Sequence, residues 1–117
     1  MGQDDEQLER LSQAAAGLLF MSESDYPFEL IQWDGQTEPT AEFIRNVSGE
    51  AEDSPVEKLE VDQFLNAGRY QRLLLALQRE LSDLRAYKVG RINMPVYVVG
   101  RSREGSWLGL ATRVVET

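Results

Sequence analysis

Apolar residues recur along this chain at two periods, and the periods divide it into helices and strands. From about Arg69 to Leu84, the residues Tyr70, Leu73, Leu74, Leu77, Leu81 and Leu84 fall on a single stripe at helical spacing. That spacing predicts a helix, with Asn66 to Gly68 supplying its start. Near the N-terminus Leu8, Leu11, Ala15 and Leu18 keep the same spacing, and Asp4 with Gln7 resembles a capping box. Gly17 and the run Ser22-Glu23-Ser24-Asp25 end this first helix. Pro39 suits the first turn of another helix through Val47, which places Phe43, Ile44 and Val47 on one face.

Strand signals fill the remainder. Tyr26-Pro27 sets an extended entry, and Phe28, Leu30 and Trp33 read as a strand closed by the turn dipeptide Asp34-Gly35. Asn46 to Pro55 is polar and reads as a loop, and Val56 to Val61 as a short strand. Tyr87 and Val89 begin another strand, and Ile92, Met94, Val96 and Val98 alternate along the next. Its interleaved residues Pro95, Tyr97 and Val99 are apolar too; Ser102-Arg103-Glu104-Gly105 makes a hairpin loop, and Ser106 to Val115 returns as the partner. Proline has no N–H for a ladder, so the strand holding Pro95 is expected at an edge or bulged there. A sheet apolar on both faces needs cover on both. The expected fold is α/β: a three-layer α/β/α sandwich with a mostly antiparallel sheet, one domain over residues 1–117.

Composition narrows the chemistry. The chain has no Cys and no His, which removes disulfides, thiolate nucleophiles, Cys–His zinc sites and Ser-His-Asp triads together. The net charge of −8 is unevenly spread: residues 1–62 carry sixteen acids and three bases, a net of −13, and residues 63–117 carry four acids and nine bases, a net of +5. The acidic half repels phosphates, which argues against direct nucleic-acid binding, and suits a basic protein partner whose approach it accelerates. Solubility is the plainer reading of the same charge. No run is long enough to span a membrane and no export signal is visible, so the expected location is cytoplasmic.

Two places offer chemistry. The first is the loop Met21-Ser22-Glu23-Ser24-Asp25-Tyr26, inserted after Leu18-Leu19-Phe20, a run expected to be buried. Carboxylates and hydroxyls on such a loop present negative charge at a fixed place, or simply cap a turn. The second is the ending Val114-Val115-Glu116-Thr117, where a strand that runs to the last residue anchors a terminal carboxylate and a hydroxyl. Oxygen donors of this kind suit a hard cation such as Mg²⁺; the plainer reading is a chain that stops after a strand. The leucine stripe reads as core, Arg69, Arg72, Arg79 and Arg85 as the solvated face of its helix, and Trp33 and Trp107 as structural.

The strings Gly17-Leu18-Leu19-Phe20-Met21-Ser22-Glu23-Ser24-Asp25-Tyr26-Pro27-Phe28-Glu29, Val96-Tyr97-Val98-Val99-Gly100 and Ala111-Thr112-Arg113-Val114-Val115-Glu116-Thr117 resemble the cyanobacterial nuclease A inhibitor family. The resemblance spans nearly the whole chain and implies a fold similar to that of plant pathogenesis-related proteins. It implies a protein that is not an enzyme, a monomer forming a 1:1 complex with a sugar-non-specific DNA/RNA nuclease. It implies no cofactor of its own; the Mg²⁺ is supplied by the nuclease. In the family a loop glutamate takes the place of the scissile phosphate and a C-terminal threonine hydroxyl binds the nuclease's metal. Glu23 and Thr117 match those positions, with Ser22, Ser24, Asp25 and Glu116 as partner contacts beside them. The family's characterised inhibitor also carries, before the long helix, an acidic stretch whose Asp-Trp pair makes a second contact cluster. Here Phe64 and Arg69 are bridged only by Leu65-Asn66-Ala67-Gly68. Loss of a central Trp anchor removes ~2–4 kcal/mol of binding. Weaker inhibition, a different nuclease, or an interaction module of the same fold without nuclease-inhibiting activity therefore stand as alternatives. An enzyme built on the Ser22–Asp25 oxygens would need a carboxylate pair that no spacing here suggests.

Overall fold

The computed structural model describes residues 3–34 and 38–116; Met1, Gly2, Gly35, Gln36, Thr37 and Thr117 lie outside the described residues. In chain order the elements are α1 (Gln3–Ala15), β1 (Leu19–Met21), β2 (Asp25–Pro27), β3 (Glu29–Trp33), α2 (Ala41–Ser48), β4 (Val56–Leu59) and α3 (Val61–Phe64). A 3₁₀ turn (Gly68–Tyr70), α4 (Gln71–Glu80), β5 (Ser82–Val89), β6 (Asn93–Arg101) and β7 (Trp107–Val115) follow. The class is α/β: helices with a five-stranded sheet ordered β3-β7-β6-β5-β4, antiparallel at every pairing, plus a separate β1-β2 hairpin.

Side-chain alternation on the central strands divides the core. Met94, Val96 and Val98 of β6 and Leu108, Leu110 and Val114 of β7 pack with Leu11 of α1 and with Leu73, Leu74 and Leu77 of α4. The interleaved Tyr97, Val99 and Trp107 pack instead with Tyr87, Val89 and Ile44 of α2. This is the two-sided burial that strands apolar on both faces demand. The β6 and β7 strands approach so closely at Gly109 that a Cβ there would lie 1.8 Å from the Val98 carbonyl oxygen.

Several expectations are corrected. The long helix ends at Glu80, not Leu84: Leu81 still donates to the Leu77 carbonyl at 3.0 Å, and the chain then becomes extended. Strand pairing on both sides of β5 outweighs helix continuation. Leu81 and Leu84 reach the same core cluster from the extended chain, which is why they fit the helical stripe. A register shift between Ser82 and Arg85, with Asp83 at φ 52°, turns the chain into the sheet. Arg85 accordingly belongs to β5 rather than to a helix face; it lies 4.9 Å over the Trp107 ring and 3.5 Å from Glu38. Asp4 and Gln7 form no capping box. Both are buried inside α1, where the Gln7 amide donates to the Glu80 carbonyl and accepts from the Arg103 N–H at 3.2 Å. Of Leu18-Leu19-Phe20, Leu19 is exposed, because β1 alternates and turns only Phe20 inward.

In α2 the Thr40 hydroxyl caps the start by accepting from the Phe43 N–H at 3.1 Å. Ile44 alone is buried, whereas Phe43 and Val47 stay exposed. Ile92 precedes β6 and is 60% exposed. β6 is a central strand, contrary to the expectation from Pro95. Bonds Ser102 N–H to Ser106 and Glu116 N–H to Ile92 show that its even-numbered residues face β7. The Pro95 nitrogen therefore faces β5, whose register stops at Lys88↔Val96, one residue short of it. Of the expected turn Asp34-Gly35, Gly35 lies outside the described residues.

Candidate functional site

The acidic loop Ser22–Ser24 joins β1 to β2, and aromatic packing fixes its base. Phe20 is stacked between Phe64 of α3, 4.4 Å away, and Tyr70, 5.4 Å away, with Phe28 edge-on at 6.3 Å. Ring pairs of this kind, half-buried here around buried Tyr70, add to area burial. The Tyr70 hydroxyl accepts from the Met21 N–H at 3.0 Å and donates to the Leu19 carbonyl at 3.4 Å; the Arg69 guanidinium contacts the Met21 sulfur. A tyrosine that the periodicity assigned to core packing thus also clamps β1.

The loop is then joined to the end of the last strand. The Ser22 hydroxyl accepts from the Val115 N–H at 3.0 Å and donates to the Ser24 carbonyl at 2.9 Å. The Glu23 N–H donates to the Val115 carbonyl at 3.3 Å, and the Glu116 N–H donates to the Ile92 carbonyl at 3.0 Å. Ser22 is half-buried, whereas Glu23, Ser24, Asp25 and Glu116 are exposed. The structure therefore brings the sequence-predicted residues Ser22, Glu23, Ser24, Asp25 and Glu116 to one place, carboxylates outward from hydrogen-bonded backbone. Thr117 lies outside the described residues.

Two further features carried no sequence signal. Lys88 of β5 places its ammonium 4.0 Å from Glu116 and 3.5 Å from Glu57, with its own side chain 18% exposed. A groove of about 430 Å³ opens beside the loop. Its lining includes buried or half-buried Phe20, Leu59, Phe64 and Val114 together with exposed Glu60 and Glu116. Among the described residues no group of three or more His, Cys, Asp or Glu is arranged to hold a metal ion, and no helix is long and apolar enough to cross a membrane.

Comparison with known proteins adds a family to this geometry. The profile of the family described as nuclease A inhibitor-like protein matches residues 5–68 and 65–117. The two stretches meet at the bridge between α3 and the 3₁₀ turn, flanked by the Phe64 and Tyr70 rings that hold Phe20. Among curated proteins no match was found. With all but the first four residues covered, the chain belongs to the nuclease A inhibitor-like protein family.

Proposed function

We propose that this chain inhibits a Mg²⁺-dependent, sugar-non-specific DNA/RNA nuclease by inserting Glu23 and Thr117 into its active site. The observation that carries the reading is the pair of bonds between the Ser22–Glu23 loop and Val115, which makes the acidic loop and the end of β7 one surface. A nuclease site is built for a phosphate and a metal. The exposed Glu23 carboxylate takes the phosphate's place and forms charge-assisted pairs with the basic groups around it. The Thr117 hydroxyl is a hard oxygen suited to the partner's metal, which acts as a Lewis acid there. A loop already bonded to the sheet loses little entropy on binding, and the net −13 of residues 1–62 speeds approach to a basic cleft.

In this reading the chain is one domain over residues 1–117, is not an enzyme, needs no cofactor of its own and acts as a monomer in a 1:1 complex. Ser22, Ser24, Asp25 and Glu116 are its other partner contacts. It binds neither nucleic acid nor membrane directly and works in the cytoplasm, where self-protection requires it beside newly made nuclease. The two apolar clusters on opposite sheet faces support α/β/α layering, which the family resemblance likens to plant pathogenesis-related proteins. The two matched stretches overlap at residues 65–68, and the absence there of the family's Asp-Trp pair favours a second reading, an interaction module of the same fold that no longer inhibits.

The test is titration of the chain ending at Thr117 against Mg²⁺-dependent nucleases of its own host. Inhibition is expected; Glu23→Ala weakens it about 30-fold or more, as does truncation of one partner of a buried charge pair elsewhere. Residues appended after Thr117 weaken it too. Full nuclease activity at high micromolar protein overturns the reading. A captured non-nuclease partner, with Thr117 dispensable, replaces it with the second.

A further inference from the structure

We infer that the groove beside the Glu23 loop receives an arginine side chain of the protein partner, an inference that rests on the inhibitor reading for the partner's identity. Its apolar lining, Phe20, Leu59, Phe64 and Val114, suits an aliphatic stem. Its charge is uncompensated. Its lining holds two carboxylates, Glu60 and Glu116, and one ammonium, that of Lys88, which lies closer to Glu57, a carboxylate outside the lining, than to Glu116. Among the described residues Glu60 has no ion pair or hydrogen bond through its carboxylate. Lys88 shows the chemistry the groove accepts, since its stem is largely covered while its ammonium is shared between two carboxylates.

A second cation with a long stem would satisfy both halves of this lining. An apolar side chain leaves Glu60 unpaired and Glu116 with only its share of the Lys88 ammonium, and an anion is repelled. Arginine fits better than a further lysine because its planar fork reaches two carboxylates and lies well on aromatic surface such as Phe64. The groove is also continuous with the proposed interface, since Met21, Ser22 and Glu116 line it as well. An inhibitor seated by its loop would therefore bring a neighbouring basic residue of the partner over it.

The test needs no nuclease. The ¹⁵N-labelled full chain is titrated with a capped glycyl-arginyl-glycine peptide and with its citrulline counterpart, which keeps the shape and loses the charge. The arginine peptide is expected to give saturable shifts at the Gln63, Phe64, Val114 and Glu116 amides, with a dissociation constant of about 1–10 mM. The citrulline peptide gives none, and Glu60→Gln, a substitution at an exposed position, weakens binding about threefold. Unsaturable shifts, equal shifts for both peptides, or unchanged binding to Glu60→Gln overturn the inference. Glu23 does not line the groove, so the two proposals fail separately. A chain that inhibits a nuclease but gives no arginine response loses the groove alone; one that takes arginine but inhibits nothing loses the inhibitor reading.

Discussion

Ser22→Ala loosens the acidic loop from the end of β7 with the loss of one oxygen. That hydroxyl accepts from the Val115 N–H at 3.0 Å and donates to the Ser24 carbonyl at 2.9 Å. Ser24 is exposed, so water replaces the second bond; Val115 is half-buried, so its N–H is only partly rescued. The loss is about 1 kcal/mol, the net worth of one intramolecular hydrogen bond. A tie that remains is the Glu23 N–H to Val115 carbonyl bond, at 3.3 Å. Opening of the loop from the strand therefore becomes about fivefold easier. Amide exchange reads this directly. Glu23 exchange rises about fivefold relative to Val98 in β6, whose exchange follows global unfolding. Inhibition weakens by up to the same factor if only the closed loop binds. Glu23 exchange at the wild-type rate, with inhibition unchanged, would show that the β1-β2 hairpin and the Tyr70 clamp hold the loop unaided.

Gly109→Ala places a Cβ against the backbone of Val98 and Val99 in the centre of the sheet, and lowers stability by about 3 kcal/mol or more; an unchanged denaturation midpoint refutes the close approach. Burial pushes the Tyr97 phenol above its ordinary value of 10.0, with Arg113 opposing and Glu50 reinforcing the shift. The unfolded chain then ionises first, so this contribution is complete below that ordinary value and is lost as pH rises through the native one. Denaturation midpoints of the wild type fall over that alkaline range, and Tyr97→Phe removes its share of the fall; parallel curves for the two proteins refute it.

Element types were legible wherever local period and tertiary environment agree. The β6–β7 hairpin is an example, since turn residues at Ser102 to Gly105 separate two apolar runs that pair with each other along their whole length. Legibility failed where two environments share one pattern. Leu81 and Leu84 extend a helical stripe, yet they bury equally well beside and within β5, and only the pairing with β4 and β6 decides. Gln7 looked like a cap because short-range spacing cannot register Glu80 and Arg103, more than seventy residues away. The candidate site divides in the same way. The polar run Ser22–Asp25 after apolar residues marks an exposed loop on its own. Its support comes from Phe64, Tyr70 and Val115, which lie too far along the chain to leave a periodic trace. Lys88 sits in a strand and its two carboxylate neighbours in other segments, so no spacing announces the groove.

In the proposed inhibitor Glu23 and Thr117 act together in one cleft of a nuclease. A double-mutant cycle on the inhibition constant tests it, using the native chain, Glu23→Ala, the chain lacking Thr117, and both changes combined. Joint action predicts that each single change weakens inhibition and that the combined loss differs from the sum of the two by about 1–2 kcal/mol, as for residues that share one site. Strictly additive losses, or no loss from either change, would contradict it.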